Sequence, residues 1–144
     1  MPEIHPTAIL DGNITLADDV VIGPHCVLQG EISIGSKTRL IGNCYLTGKL
    51  ELGENNTIYP FVTIGFAAQD INFPHDQYEP GILIGNNNVF REGATVHRAT
   101  KDLPTTIGSG NMFMTTSHVA HDCQIGDSCT IVTDVSLAGH VHLQ

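Results

Sequence analysis

Basic side chains are scarce in this sequence: six Lys and Arg stand against 15 Asp and Glu, a formal net charge of −9. So acidic a surface lacks the clustered Lys/Arg footprint of nucleic-acid binders, and nucleic acid is excluded as a partner. Long apolar runs are missing too. No stretch approaches 18 consecutive apolar residues, and Met1-Pro2-Glu3-Ile4-His5 has no basic segment leading into an apolar one. Neither a membrane span nor a secretory leader is therefore expected, and the expected compartment is the cytoplasm. Among the four cysteines there is no C-x-x-C, which in such a chain favours free thiols over zinc or disulfides.

What the sequence has instead is a period. Ile4, Leu10, Leu16, Ile22, Leu28, Ile34, Leu40, Leu46, Leu52, Ile58 and Ile64 are six apart, and Ile107, Phe113, Val119, Ile125, Ile131, Leu137 and Leu143 resume the step. In a chain that is 41% hydrophobic, the first run arises by chance roughly 5 times in 100,000, so the repeat is structural. Neither a helix nor simple alternation has this period. Three hexads making one turn of a parallel β-helix do, and residues 18 apart then stack at about 4.8 Å, with Ile22, Leu40 and Ile58 along one inner edge. Gly follows the repeat residue at 23, 35, 53, 65, 85, 108 and 126, and Asn stands two further on at 43, 55 and 87. Both suit corners that need relaxed backbone sterics. Cys26, Cys44, Cys123 and Cys129 fall four residues after a repeat residue, in the small inward slot that Ala8, Val20, Thr38, Val62 and Ala94 fill elsewhere. There Cys acts as a small hydrophobe. One domain, residues 1–144, accommodates the whole pattern.

The period breaks twice, at about residues 66–81 and 99–106, which read as external loops on a solenoid, the usual place for a binding face. Counting across the second break puts Val96 one coil below Val119, and His97 beside His121. His97, His121 and His140 then gather on one edge from consecutive coils, with His121 under Gly139 and Asp122 under His140. A base one coil from a residue with an unobstructed backbone N–H is what an activated nucleophile and its oxyanion require. Asp122 serves to orient His121 only if the two straddle a corner, because neighbours on a strand face opposite ways. The apolar repeat is still running at Leu143, so a partner covering that end, or a longer parent chain, is expected.

The motifs His118-Val-Ala-His-Asp-Cys123, Leu137-Ala-Gly-His-Val141 and Thr95-Val-His-Arg98, with Gln69-Asp70 in the first loop, resemble the UDP-N-acetylglucosamine O-acyltransferase family of lipid A synthesis. The resemblance covers essentially the whole chain. It implies an all-β fold, a left-handed parallel β-helix assembled as a homotrimer with sites between subunits, without cofactor or metal. It implies transfer of a 3-hydroxyacyl chain from acyl carrier protein to the 3-hydroxyl of UDP-N-acetylglucosamine. By position, His121 matches the general base and Gly139 the oxyanion donor. His118 and His140 match residues of the sugar-nucleotide cleft, with His97 beside them, and Gln69 and Asp70 match loop residues that reach the amino sugar of a neighbouring subunit. The family's further coils and C-terminal helical region have no counterpart here, Asn72 stands where many members have Lys, and Thr133-Asp134 where many have an Asn pair. Two other readings stay open. The first is a zinc protein resembling γ-class carbonic anhydrases, although that class needs a histidine where Thr116 stands. The second is a shortened β-helix without activity.

Overall fold

The computed structural model describes residues 1–144, and its regular secondary structure consists of strands alone. No helix is long and apolar enough to cross a membrane. The strands form a parallel β-helix. One face is a seven-stranded sheet of two-residue strands, from Glu3–Ile4 to Thr130–Ile131. The other two faces are one eleven-stranded sheet, because the strands Ile9–Leu16, Val27–Ile34 and Tyr45–Leu52 run unbroken around the corner between them.

Register follows the expected coil length. Val21 pairs with Glu3 and with Arg39, and Val27 with Ile9 and with Tyr45, each 18 residues away. Across the first break the pairing jumps from Thr57 to Val89, and across the second from Val89 to Met112, after which the 18-residue step returns at Met112 and Thr130. Both insertions thus leave the wall as external segments while the stack continues, with one register shift where His97 pairs with Phe66. Ile22, Leu40 and Ile58 pair in one row and are 1%, 0% and 0% exposed. Phe90 and Phe113 extend that row with rings 4.7 Å apart. Each fully buried side chain of this kind contributes about 1.5–3 kcal/mol, and it belongs to one continuous core of 25 buried residues.

The corners differ in detail from the sequence expectation. The residue that turns left-handed is the third after the repeat residue. His25, Lys37, Asn43, Asn55, Phe61, Asn87, Thr116, Asp122, Ser128, Asp134 and His140 all occupy this place with φ of 50–68°. The conformation disfavours most side chains, but the corner N–H is held by the preceding coil, as in Asn55 N–H to Ser36 C=O (2.8 Å) and His140 N–H to His121 C=O (3.0 Å). Most glycines directly after the repeat residue serve close approach instead, Gly65 alone among them having a positive φ. A Cβ on Gly23 would stand 2.0 Å from the carbonyl oxygen of Ile41 in the next coil.

The inward slot also holds a polar ladder. Asn56, Asn88 and Asn111 are buried. The Oδ1 of Asn56 accepts the Asn88 N–H, that of Asn88 accepts the Asn111 N–H, and that of Asn111 accepts the Cys129 N–H, at 2.7–2.9 Å. Their amide groups donate to Gly85, Gly108 and Gly126 carbonyls at 2.9 Å. Every polar atom is paired, so the asparagines stiffen the corner without the cost of unsatisfied groups. Of the cysteines, Cys26, Cys44 and Cys123 are buried and Cys129 is half-buried, all as free thiols.

Candidate active site

The site forms where the strand His118–Val119 meets its corner. Val119 points into the core, so alternation sends His118 outward. Three residues on, Asp122 turns the chain with φ 62°, and this corner lets two sequence neighbours face each other. The Nδ1 of His121 lies 2.7 Å from Oδ2 of Asp122. The carboxylate is only 5% exposed. Its Oδ1 accepts the N–H groups of Thr100 (2.9 Å) and Lys101 (3.1 Å), and its Oδ2 accepts the Thr100 hydroxyl (2.6 Å). The Asp122 N–H donates to the Thr105 hydroxyl at 2.9 Å. Burial alone would raise the Asp122 pKa, but the hydrogen bonds from Thr100, His121 and Lys101 outweigh it and hold the carboxyl below its ordinary range. An ionised Asp122 requires Nδ1 of His121 to be the donor, which assigns the lone pair to Nε2.

That Nε2 faces Gly139. A Cβ on Gly139 would lie 2.7 Å from Nε2 and 2.6 Å from Cε1 of His121, so the imidazole rests against the Gly139 backbone. Gly139 occupies the second place after a repeat residue, where elsewhere in the wall the backbone N–H points along the stack towards the next coil. The N–H groups of Glu54, Asn86 and Ser109, at equivalent places, donate to side-chain oxygens of the next coil at 2.7–2.9 Å. Gly139 itself carries no side chain to stand between its backbone and the imidazole. The exposed ring of His140 stands edge-on to His121 at 5.1 Å, with Nε2 3.7 Å from Asp122 Oδ2.

A second histidine pair adjoins the first. His97 packs its ring edge-on against His118 at 4.7 Å, so its ring contact is with His118, one step along from the expected neighbour His121. His118 Nδ1 and the Thr95 hydroxyl are 2.6 Å apart. Burial, followed by repulsion from His118, His121 and Arg98, pulls the His97 pKa down to about 4, and burial followed by His121 lowers that of His118. Both rings are thus uncharged at neutral pH. A cleft of about 270 Å³ opens beside this edge between Lys101, Asp102, Asp122, Gln124, His140 and His142.

Gln69 and Asp70 lie apart from these rings, on the first external segment, where Asp70 accepts the Asn72 N–H at 2.9 Å. The residue that fastens this segment escaped sequence reasoning. Arg98, 3% exposed, donates to the carbonyls of Gly65 (2.8 Å), His75 (2.6 Å) and Gln77 (2.8 Å), and its guanidinium lies 4.7 Å from the Tyr78 ring centroid. Its place directly after His97, in front of the second insertion, was the available signal. Thr100 and Thr105 were missed likewise.

His121, Asp122 and His140 are the one group with metal-ligand chemistry, their ligand atoms lying within 4.8 Å of one another. The arrangement does not fit a cation. His121 spends Nδ1 on Asp122, both carboxylate oxygens are engaged by the second insertion, and the zinc reading's third histidine is replaced by Thr116, whose hydroxyl bonds Asp134.

The corner-mounted carboxylate–imidazole pair against a glycine thus sits on a left-handed parallel β-helix of hexapeptide repeats. No family model matches the chain. It is 46% identical to the acyl-[acyl-carrier-protein]--UDP-N-acetylglucosamine O-acyltransferase of Thermodesulfovibrio yellowstonii, over 100% of this chain and 56% of that protein. It is 52% identical to the enzyme of the same name from Pseudomonas fluorescens, over 99% of this chain and 55% of that protein. The solved LpxA of Acinetobacter baumannii superposes with a TM-score of 0.92 at 40% identity, over 96% of this chain and 54% of that one. The chain is thus similar over its whole length to UDP-N-acetylglucosamine O-acyltransferases and spans about half the length of the curated relatives it matches.

Proposed function

We propose that this chain supplies the reacting centre for transfer of a 3-hydroxyacyl group from acyl carrier protein to the 3-hydroxyl of UDP-N-acetylglucosamine, the opening step of lipid A synthesis, in the cytoplasm. The observation that carries the reading is the stack Asp122–His121–Gly139: a buried carboxylate on Nδ1, and an imidazole whose Nε2 side lies against the backbone of a glycine. In the reaction, Nε2 takes the proton of the sugar hydroxyl as its oxygen bonds to the thioester carbonyl carbon. The carbonyl oxygen gathers negative charge opposite the Gly139 N–H, where a glycine leaves the approach open. As the C–S bond breaks, the imidazolium returns the proton to the departing thiolate. Asp122 stabilises the imidazolium without taking its proton, the role a buried carboxylate plays beside other catalytic histidines.

His97, His118 and His140 line the approach to this centre as uncharged or exposed rings. Gln69 and Asp70, held out on the first external segment, serve the amino sugar of a neighbouring copy in a homotrimer. The homology over the whole chain supports this assignment of substrates. The test is incubation with 3-hydroxyacyl-acyl carrier protein and UDP-N-acetylglucosamine, with products read by mass spectrometry and the protein's mass by sedimentation. A sugar nucleotide esterified at the 3-hydroxyl and a trimer are expected. A monomer that releases no acyl group would overturn the reading in favour of a non-catalytic β-helix.

A further inference from the structure

The second insertion does more than bridge two strands. Its residues wrap the one carboxylate that touches His121. Oδ2 of Asp122 receives the imidazole at 2.7 Å, the Thr100 hydroxyl at 2.6 Å and the Thr100 N–H at 3.1 Å, so three donors share one oxygen. The Thr100 and Lys101 N–H groups hold the other oxygen, and Thr105 holds the Asp122 backbone. Few rotations remain open to the carboxylate. We infer that Thr100 is a positioning residue: its hydroxyl, by bonding the oxygen that His121 bonds, limits how strongly Asp122 draws on the imidazole and thereby sets the pH at which His121 becomes an unprotonated base.

Donors on one carboxylate oxygen divide its charge, and each weakens the pull on the others; of the three, the hydroxyl makes the shortest bond. Removing the hydroxyl leaves more negative charge facing Nδ1, which favours the imidazolium. Were Thr100 a mere packing residue, its loss would free Asp122 to turn aside and the imidazolium would lose its partner, with the opposite sign. The other titratable groups around the Asp122–His121 pair stay constant in this comparison: His118 on its own coil, His97 from the coil below, His140 and His142 from the coil above, and Lys101 and Asp102 at the cleft that Asp122 lines.

The inference rests on His121 being the base of the proposed reaction, but its first test needs no substrate. The Cε1–H resonance of His121, identified by its loss in His121→Gln, is titrated by NMR in the parent chain, Thr100→Val and Thr100→Ser. Thr100→Val should raise the midpoint by about half a pH unit or more, and Thr100→Ser, which keeps the hydroxyl, should return it to the parent value. Thr100→Ala provides the same test should the valine variant fail to fold. A midpoint unchanged or lowered in Thr100→Val or Thr100→Ala, or raised equally in Thr100→Ser, overturns the inference. With acyl carrier protein substrate, the acid limb of kcat/KM should move upward with the NMR midpoint. An NMR shift without that movement leaves the coupling established and counts against His121 as the base.

Discussion

Gly139→Ala tests the geometry of the centre with one methyl group. The new Cβ would stand 2.6 Å from Cε1 and 2.7 Å from Nε2 of His121, whereas carbon contacts are comfortable at about 3.5–4.0 Å. Something must retreat by about 1 Å. The Gly139 backbone is not in the left-handed region, so alanine adopts it without strain. The His121 side chain is 16% exposed and borders open space, so the ring yields before the wall does. A misplacement of about 1 Å costs on the order of 10²-fold in rate, and that loss is expected in steady-state acyl transfer with little change in thermal midpoint. The assay becomes decisive as a double-mutant cycle. In a His121→Ala background no ring remains to be displaced, so the added Gly139→Ala should cost almost nothing. A full 10²-fold further loss there would show that the methyl blocks substrate directly, and undiminished activity of Gly139→Ala alone would refute the close contact itself.

Asn88→Leu removes one rung of the polar ladder and leaves the Asn111 N–H and the Gly108 carbonyl buried without their partners. At about 1–3 kcal/mol per unsatisfied group, denaturant titration should show a loss of about 2–5 kcal/mol, against under about 0.5 kcal/mol for exposed Asn72→Ala. Arg98→Met strips three carbonyls of their donor, and amide exchange across residues 66–81 should quicken by about tenfold or more while the coils stay protected. Lys49→Met, which breaks only the exposed pair with Glu79, should leave that exchange nearly unchanged; equal effects of the two would deny Arg98 its anchoring role. His97 is held unprotonated down to about pH 4, below its ordinary 6.5, so the unfolded chain takes the proton first. The stability it contributes is present above about pH 6.5 and is lost as pH falls towards 4. Asp122, also depressed, adds its loss below its ordinary 3.8. His97→Gln should flatten the upper window of an acid-unfolding series and leave the lower one, and an unaltered profile would contradict the burial of an uncharged ring.

Much of the fold was legible because the apolar period and the coil length are the same fact. Once Ile22, Leu40 and Ile58 are seen to recur, their pairing across coils follows, and so does His121 under Gly139. The corners were less legible. Glycine after the repeat residue is read as conformational freedom, yet Gly23 is required because Ile41 of the next coil presses on it, and a distance between coils leaves no local mark. The left-handed place falls on His, Lys, Phe, Thr and Asp as well as Asn, so residue type alone did not reveal it, and with it the facing of Asp122 and His121 stayed open. Asn56, Asn88 and Asn111 sit in the same slot as the cysteines and were open to the same counting, but polar residues in an inward slot run against the expectation of an apolar core. The parts of the site that come from the insertions, Arg98 on its three carbonyls and Thr100 on Asp122, depend on how irregular backbone folds back. No period encodes that.

The most direct measurement compares acyl transfer from 3-hydroxyacyl-acyl carrier protein to UDP-N-acetylglucosamine by the parent protein, His121→Ala and His118→Ala. A positioned general base contributes about 10²–10⁴-fold, so His121→Ala should lose that much with its fold intact. His118→Ala, which lacks the buried carboxylate partner and bonds only the Thr95 hydroxyl, should lose clearly less. A His121→Ala enzyme that keeps most of its rate while His118→Ala loses it would move the base one corner along the coil and contradict the assignment of Asp122, His121 and Gly139 as the reacting centre.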